Sequence, residues 1–192
     1  MGAATRRSAP GVSWGVTEAE RADPFPCDVR CTTPDDALFR GVTVAAPGAL
    51  VFRWLCQLRV APYSYDWLDH GGRRSPPALT PGLDQLAVGQ TVMTIFELIG
   101  FEPGRSLTVV NRARRGARRL FGEVWVSYLV RPAPGSACRL LAKLLVRYPP
   151  TVAGAFMRRV LPLGDLVMMR RQLLTLKRLA ERDASAERPP AS

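Results

Sequence analysis

The sequence predicts an α+β fold in which a curved antiparallel sheet wraps around a long C-terminal helix. Three observations predict it. In residues 163–182, Leu166, Met169, Leu173, Leu176 and Ala180 recur at alternating three- and four-residue steps and share one helix face, with Arg170, Arg171, Lys177 and Arg178 on another. The middle of the chain is a series of strand-like apolar runs separated by turn signals such as Glu102-Pro103-Gly104 and Ala133-Pro134-Gly135, which favour antiparallel hairpins. In the last of these runs Cys138, Leu140, Ala142, Leu144 and Val146 alternate with Arg139, Leu141, Lys143, Leu145 and Arg147. The sheet therefore has one wholly apolar face and one mixed face.

Taken in order, residues 1–35 mix Arg, Ala, Pro, Gly and Ser without sustained periodicity. Pro24, Pro26 and Pro34 punctuate them, and the segment reads as a loosely ordered arm. The folded domain spans residues 36–182, and residues 183–192, with Pro189 and Pro190, form a frayed tail. Residues 39–45 are a short strand. Pro47 precedes a helix at 49–58, where a missing N–H costs little, and Leu50, Trp54, Leu55 and Leu58 supply its buried face. Residues 60–88 form an irregular insertion, long for a connecting loop, with a helical turn near 82–86. Strands follow at 91–100, 106–111, 120–131 and 138–148. Pro149 and Pro150 end the sheet, a helical piece runs over 152–160, and Pro162 and Gly164 interrupt it before the terminal helix.

A chain of 192 residues with 47% hydrophobic residues suits one domain with a sizeable core. No apolar run approaches the roughly 20 residues of a bilayer span. The start of the chain has no apolar stretch behind Arg6 and Arg7, which predicts a cytoplasmic protein. Gly2 does not read as a myristoylation site, because Arg6 stands where Ser or Thr is needed. Cys27, Cys31, Cys56 and Cys138 are too scattered for a disulfide scaffold, and no second pair of ligands accompanies Cys27 and Cys31, so no metal is expected. The net charge of +11 suggests a polyanionic partner, but Lys143 and Lys177 are the only lysines and the other 25 basic residues are all Arg. That skew fits GC-rich coding and a solvated basic exterior as well as a selected surface.

The opening strand and helix at 42–55 (VTVAAPGALVFRWL), the strand and turn at 96–107 (FELIGFEPGRSL) and the ending at 173–181 (LLTLKRLAE) carry a resemblance to the START-like, or SRPBCC, superfamily of helix-grip proteins. The order of elements is nearest to its polyketide cyclase/dehydrase and lipid-transport group. The resemblance covers about residues 38–182 and rests on order and spacing, not on an invariant motif. It implies a cavity between the sheet and the last helix that holds lipids, polyketides or other hydrophobic molecules. Residues 60–88 depart from the compact members and are expected as a lid or rim over the cavity mouth.

Tyr63, Tyr65, Asp66, Trp67, Asp69 and His70 form the densest polar and aromatic cluster. Tyr63, Tyr65 and Trp67 suit an aromatic rim that orients an apolar ligand, with Met169 and Leu173 as the helix wall. His70 and Asp66 are the candidate acid–base pair, and a structured loop capped by its aspartates is the competing reading. Glu97, Glu123 and Arg131 lie within strands. Alternation places Glu123 on the outer face, where a salt bridge is expected. Arg112, Arg114, Arg115, Arg118 and Arg119 crowd one hairpin connection that can reach phosphates or anionic head groups, without the aromatic interleaving of a nucleic-acid binder. The Met168-Met169 pair reads as core filler. The sequence holds no Gly-rich phosphate loop, nucleophile elbow or helical His-Glu zinc motif, so no cofactor is expected.

Three functions compete: a cofactor-free carrier of a hydrophobic small molecule, a cyclase or dehydratase using acid–base groups at the cavity rim, and a peripheral protein of anionic membranes or other polyanions. The first is preferred, with no specific nucleic-acid partner.

Overall fold

In the computed structural model the described residues are 11–64, 74–111 and 122–187. They form β1 (Ser13–Trp14), α1 (Glu18–Ala22), β2 (Asp36–Val44), α2 (Gly48–Cys56) with a following 3-10 turn (Gln57–Arg59), β3 (Thr91–Val92), β4 (Phe96–Glu102), β5 (Ser106–Asn111), β6 (Glu123–Pro132), β7 (Cys138–Arg147) and α3 (Val152–Ala186). The sheet order is β1-β2-β7-β6-β5-β4-β3, antiparallel throughout except for the parallel β1–β2 pair. This is the α+β architecture expected from the sequence, a seven-stranded sheet with a long C-terminal helix. No helix among the described residues is long and apolar enough to cross a membrane.

The alternation of β6 and β7 sorts side chains onto two faces as the pattern requires. Val126, Tyr128, Val130, Leu140, Leu144 and Val146 point to the concave face. There they meet Trp54 and Leu55 of α2 and Leu173, Leu176, Leu179 and Ala180 of α3 in the main core. Each buried leucine contributes on the order of 1.5–3 kcal/mol. α2 buries Leu50, Val51, Phe52, Trp54, Leu55 and Cys56, a wider face than its four expected contacts, because it lies between the sheet and α3.

Three expectations are corrected. Residues 11–35 are not a loose arm. They cross the convex face, pair β1 with β2, and bury Phe25, Cys27 and Cys31 against Phe39, Leu129, Leu141 and Leu145 in a second core. The leucines on the mixed face of β7 are what this cover buries. α1 starts in a capping box, with Glu20 N–H donating to Thr17 Oγ1 (3.1 Å) and Thr17 N–H donating to Glu20 Oε2 (2.8 Å). Gly15, at φ +69°, brings its backbone so close to β2 that a Cβ there would sit 2.1 Å from the Gly41 carbonyl oxygen, so only glycine fits.

The strand expected at 91–100 is instead two strands, β3 and β4. The chain reverses through Met93 and Thr94, both left-handed at φ 47° and 66°. The helix expected to break at Pro162 and Gly164 is continuous over 35 residues and runs on to Ala186, into the segment read as a frayed tail. Pro162 removes one intrahelical bond, a cost of about 3 kcal/mol or more in isolation. The packing of α3 along β2 and α2 outweighs it.

Candidate functional site

Between α3 and the sheet the core opens into a cavity of about 360 Å³. Val126 and Tyr128 of β6 and Leu144 of β7 form its floor, and Asp165, Met168, Met169 and Gln172 of α3 form one wall. Pro62 and Ser64 close one side, and Met93, Ile95 and Phe96 of the β3–β4 turn close the other. Most of this lining is apolar. The strained backbone at Met93 is held by its N–H, which donates to the Leu58 carbonyl (2.8 Å), and it aims the thioether into the cavity.

Besides Ser64 at the side, three polar side chains line this apolar setting. Tyr128 Oη donates to Gln172 Oε1 (2.7 Å), and Gln172 Nε2 donates to the Pro62 carbonyl (2.6 Å) and to Met93 Sδ (3.2 Å). Burial pushes the Tyr128 hydroxyl well above its ordinary range, and the charge of Asp165 pushes it further. The third group, Asp165, is held from behind by Arg40, whose Nη2 donates to Oδ2 at 2.7 Å. Burial raises the Asp165 carboxyl from 3.8 to about 6, against the opposing pull of Arg40.

Arg40 is fully buried on the concave side of β2. Its Nη1 donates to the carbonyls of Val12 and Phe39 (both 2.9 Å), and its Nη2 also reaches those of Gly11 (2.8 Å) and Pro162 (3.3 Å). A buried cation needs such a set, because an uncompensated one costs several kcal/mol. Burial lowers its pKa and Asp165 raises it. The Arg40–Asp165 pair thus ties β2, the residue 11–12 backbone and α3 together at the cavity wall.

The residues singled out in the sequence are distributed as follows. Met169 lines the cavity, while Leu173 packs wholly in the core behind it. Tyr63 is buried with its ring edge-on to Trp54, centroids 5.9 Å apart, and belongs to the core, not to a rim. Tyr65, Asp66, Trp67, Asp69 and His70 lie outside the described residues, as do Arg112, Arg114, Arg115, Arg118 and Arg119. Pro62 and Ser64, which lead into the aromatic segment, do reach the cavity.

Glu123 faces outward and pairs with Arg147 at 3.7 Å, and Arg131 pairs with Asp23 on the same convex side. Glu97 is half-buried on β4. Cys27 and Cys31 are buried in the convex core, and burial pushes the Cys27 thiol up to about 11. Among the described residues no cluster of His, Cys, Asp and Glu has the makings of a metal site.

Sequence reasoning missed Asp165, Arg40 and Gln172 and placed Tyr128 only as an apolar-face residue. A signal for two of them existed. Asp165, Met169, Gln172 and Leu176 follow the four-three-four spacing of a single helix face, so the first acid of α3 sits on the buried stripe in place of Leu166.

The fold and its cavity define the class: an α+β protein whose sheet holds a C-terminal helix around a small internal space. No family model matches the chain, and no curated protein does. Solved structures do resemble it. A hypothetical protein of Helicobacter pylori superposes with a TM-score of 0.52 at 15% identity, covering 83% of this chain and 96% of that one. A protein of Nitrosospira multiformis gives 0.49 at 12% identity, over 78% and 99%. DynU16, a protein in the dynemicin biosynthetic locus, gives 0.47 at 19% identity over 79% of this chain, which spans 49% of DynU16. At these identities the likeness is one of fold.

Proposed function

We propose that the protein is a START-like carrier that binds a hydrophobic small molecule, lipid- or polyketide-like, in the cavity between the sheet and α3, without a cofactor. The observation that carries this reading is the cavity itself. At about 360 Å³ it has the size of a small-ligand site, with an apolar lining and three convergent polar groups, Tyr128, Asp165 and Gln172. Native mass spectrometry of protein purified from its own host tests it. A co-purifying apolar compound is expected, lost when Val126→Phe fills the floor. Repeated absence of any such compound would count against a carrier.

A second reading, an enzyme of the cyclase or dehydratase type, is favoured by one observation. Asp165 is a carboxyl raised to about 6, facing an apolar cavity, and so is poised to exchange a proton near neutral pH. In this reading the acid–base role expected of His70 and Asp66 falls to Asp165. Comparison of wild type with Asp165→Asn separates the two. An enzyme variant would retain a compound that differs from the wild-type product by the elements of water, whereas a carrier would hold the same compound in both proteins.

A further inference from the structure

The direction of each hydrogen bond in the cavity is fixed by a chain of necessity. The Pro62 carbonyl can only accept, so Gln172 must turn its Nε2 toward it and its Oε1 toward Tyr128. Oε1 can only accept, so the single Tyr128 proton is committed to it. The second Nε2 proton is taken by Met93 Sδ. Every donor of the Tyr128–Gln172 pair is therefore spent inside the protein. Tyr128 and Asp165 line the cavity, and what remains to them is acceptor capacity: the lone pairs of Tyr128 Oη, whose hydroxyl also lies 3.7 Å from Met169 Sδ, and Asp165 Oδ1, which carries no hydrogen bond among the described residues while Arg40 holds Oδ2.

The charges facing Asp165 are equally restricted. Arg40 approaches it from β2 and Tyr128 from β6, and the Arg40–Asp165 pair is neutral as a unit. A third charge placed beside it in this apolar space would be unpaired and costly. We propose that the cavity selects an apolar ligand ending in a neutral hydrogen-bond donor, an alcohol or phenol hydroxyl shared between Asp165 Oδ1 and Tyr128 Oη, and rejects ligands ending in an anion. This rests on the carrier reading above.

Displacement of the neutral fluorophore N-phenylnaphthylamine by decanol, decanoate and decanesulfonate tests it. Near pH 8, decanol is expected to compete at least about tenfold better than either anion, a gap of about 1.4 kcal/mol. Decanesulfonate stays ionised at every working pH, so its improvement of about tenfold on acidification to near pH 5 reports the proton gained by Asp165. In Asp165→Asn, which can still accept from Arg40 and adds a donor, the gap is expected to fall below about threefold. Decanoate binding as well as decanol near pH 8, or a sulfonate affinity unmoved by pH, would overturn the proposal and leave the carrier reading standing. Failure of the fluorophore to enter at all would overturn both.

A separate observation lies on the opposite side of α3. Val152, Phe156, Val160, Leu163, Val167 and Leu174 are all exposed, from 38% at Leu174 to 90% at Val152. Their spacing of four, four, three, four and seven residues puts them on one helix face. Arg159, Arg171 and Arg178 flank this stripe and make no ion pair among the described residues, and no acid lies on the stripe before Glu181. A second copy of the chain would set arginines against arginines. An anionic lipid surface would receive both the apolar stripe and the flanking charge.

We infer that α3 seats the protein on anionic membranes by this face. Co-sedimentation with phosphatidylglycerol-rich vesicles tests it. Binding is expected, at least tenfold weaker to phosphatidylcholine alone and at least tenfold weaker for Phe156→Ser/Leu163→Ser, whose unchanged melting temperature would show an intact fold. No binding to either vesicle, or binding indifferent to these substitutions, would overturn the inference. So would a dimer in ultracentrifugation that the same substitutions dissociate, or binding that arises only after removal of residues 1–10.

Discussion

The two faces of the sheet are covered in different ways. The convex face is sealed by residues 11–35, and its charges sit at the margin of a filled core. Lys143 lies over the rings of Phe25 and Phe39, at 5.4 and 5.2 Å, and pairs with Asp28 at 2.6 Å, while Arg139 pairs with Glu20 at 2.7 Å. The concave face is covered by α2 and α3 and keeps an opening, and the Arg40–Asp165 ion pair lies inside it. Charge on the convex side lets an irregular segment lie on a strand surface. Charge on the concave side holds a carboxylate where a ligand would meet it.

The sharpest test of that contrast is Arg40→Ala, which leaves Asp165 without its cation and withdraws the guanidinium donor from the carbonyls of Gly11, Val12 and Pro162. A loss of about 3–5 kcal/mol is expected in urea unfolding, against under about 1 kcal/mol for Lys177→Ala at the half-exposed Lys177–Glu181 pair. Packing provides the next. Leu141→Ala on the convex face should cost about 2–5 kcal/mol, because the second core has no room to spare. Val126→Phe on the concave face should cost less than about 1.5 kcal/mol and abolish ligand uptake, because the cavity accepts the added ring.

Acid titration divides the faces by sign. Asp165 holds its proton more tightly when folded, so its contribution is complete below pH 3.8 and is lost as pH rises through about 6. Glu20 is displaced downward, chiefly by its hydrogen bond from Arg139, so its contribution is present above 4.5 and is lost as pH falls through its folded value. The stability advantage of wild type over Asp165→Asn should therefore shrink by about 1–3 kcal/mol between pH 4 and 7. The advantage over Glu20→Gln should grow over the same interval. The smallest effect is local: Thr17→Ala removes the α1 cap and should cost about 1 kcal/mol, measured by urea unfolding, without altering ligand uptake.

What could be read from the sequence follows the reach of the interactions. β5 and β7 were legible to within a residue because alternation is a local property. The cover at 11–35 was not, although the Thr17–Glu20 capping box is a local signal, because Phe25, Cys27 and Cys31 bury themselves singly from an aperiodic chain. The Pro162 break failed because tertiary packing overrode a local rule. At the site, Met169 was visible from helix spacing. The Arg40–Asp165 pair was not, because a buried charge is tolerable only with its partner, and here the partner is 125 residues away. Tyr63 misled because its aromatic neighbours suggested a rim, while its own ring completes the core against Trp54.

The place of β2 in the sheet also bears on how the chain is made. Apart from the two-residue β1, its neighbour is β7, with Asp36 aligned on Val146, so the strand emerges from the ribosome long before its main partner exists. At roughly 5–20 residues per second, the apolar faces of β2 and α2 wait roughly 5–20 s for closure. Over that interval the nascent chain offers a strand whose β7 edge is unpaired and a bare helix, a substrate for chaperones, and truncation before β7 should yield an aggregating fragment instead of a smaller domain.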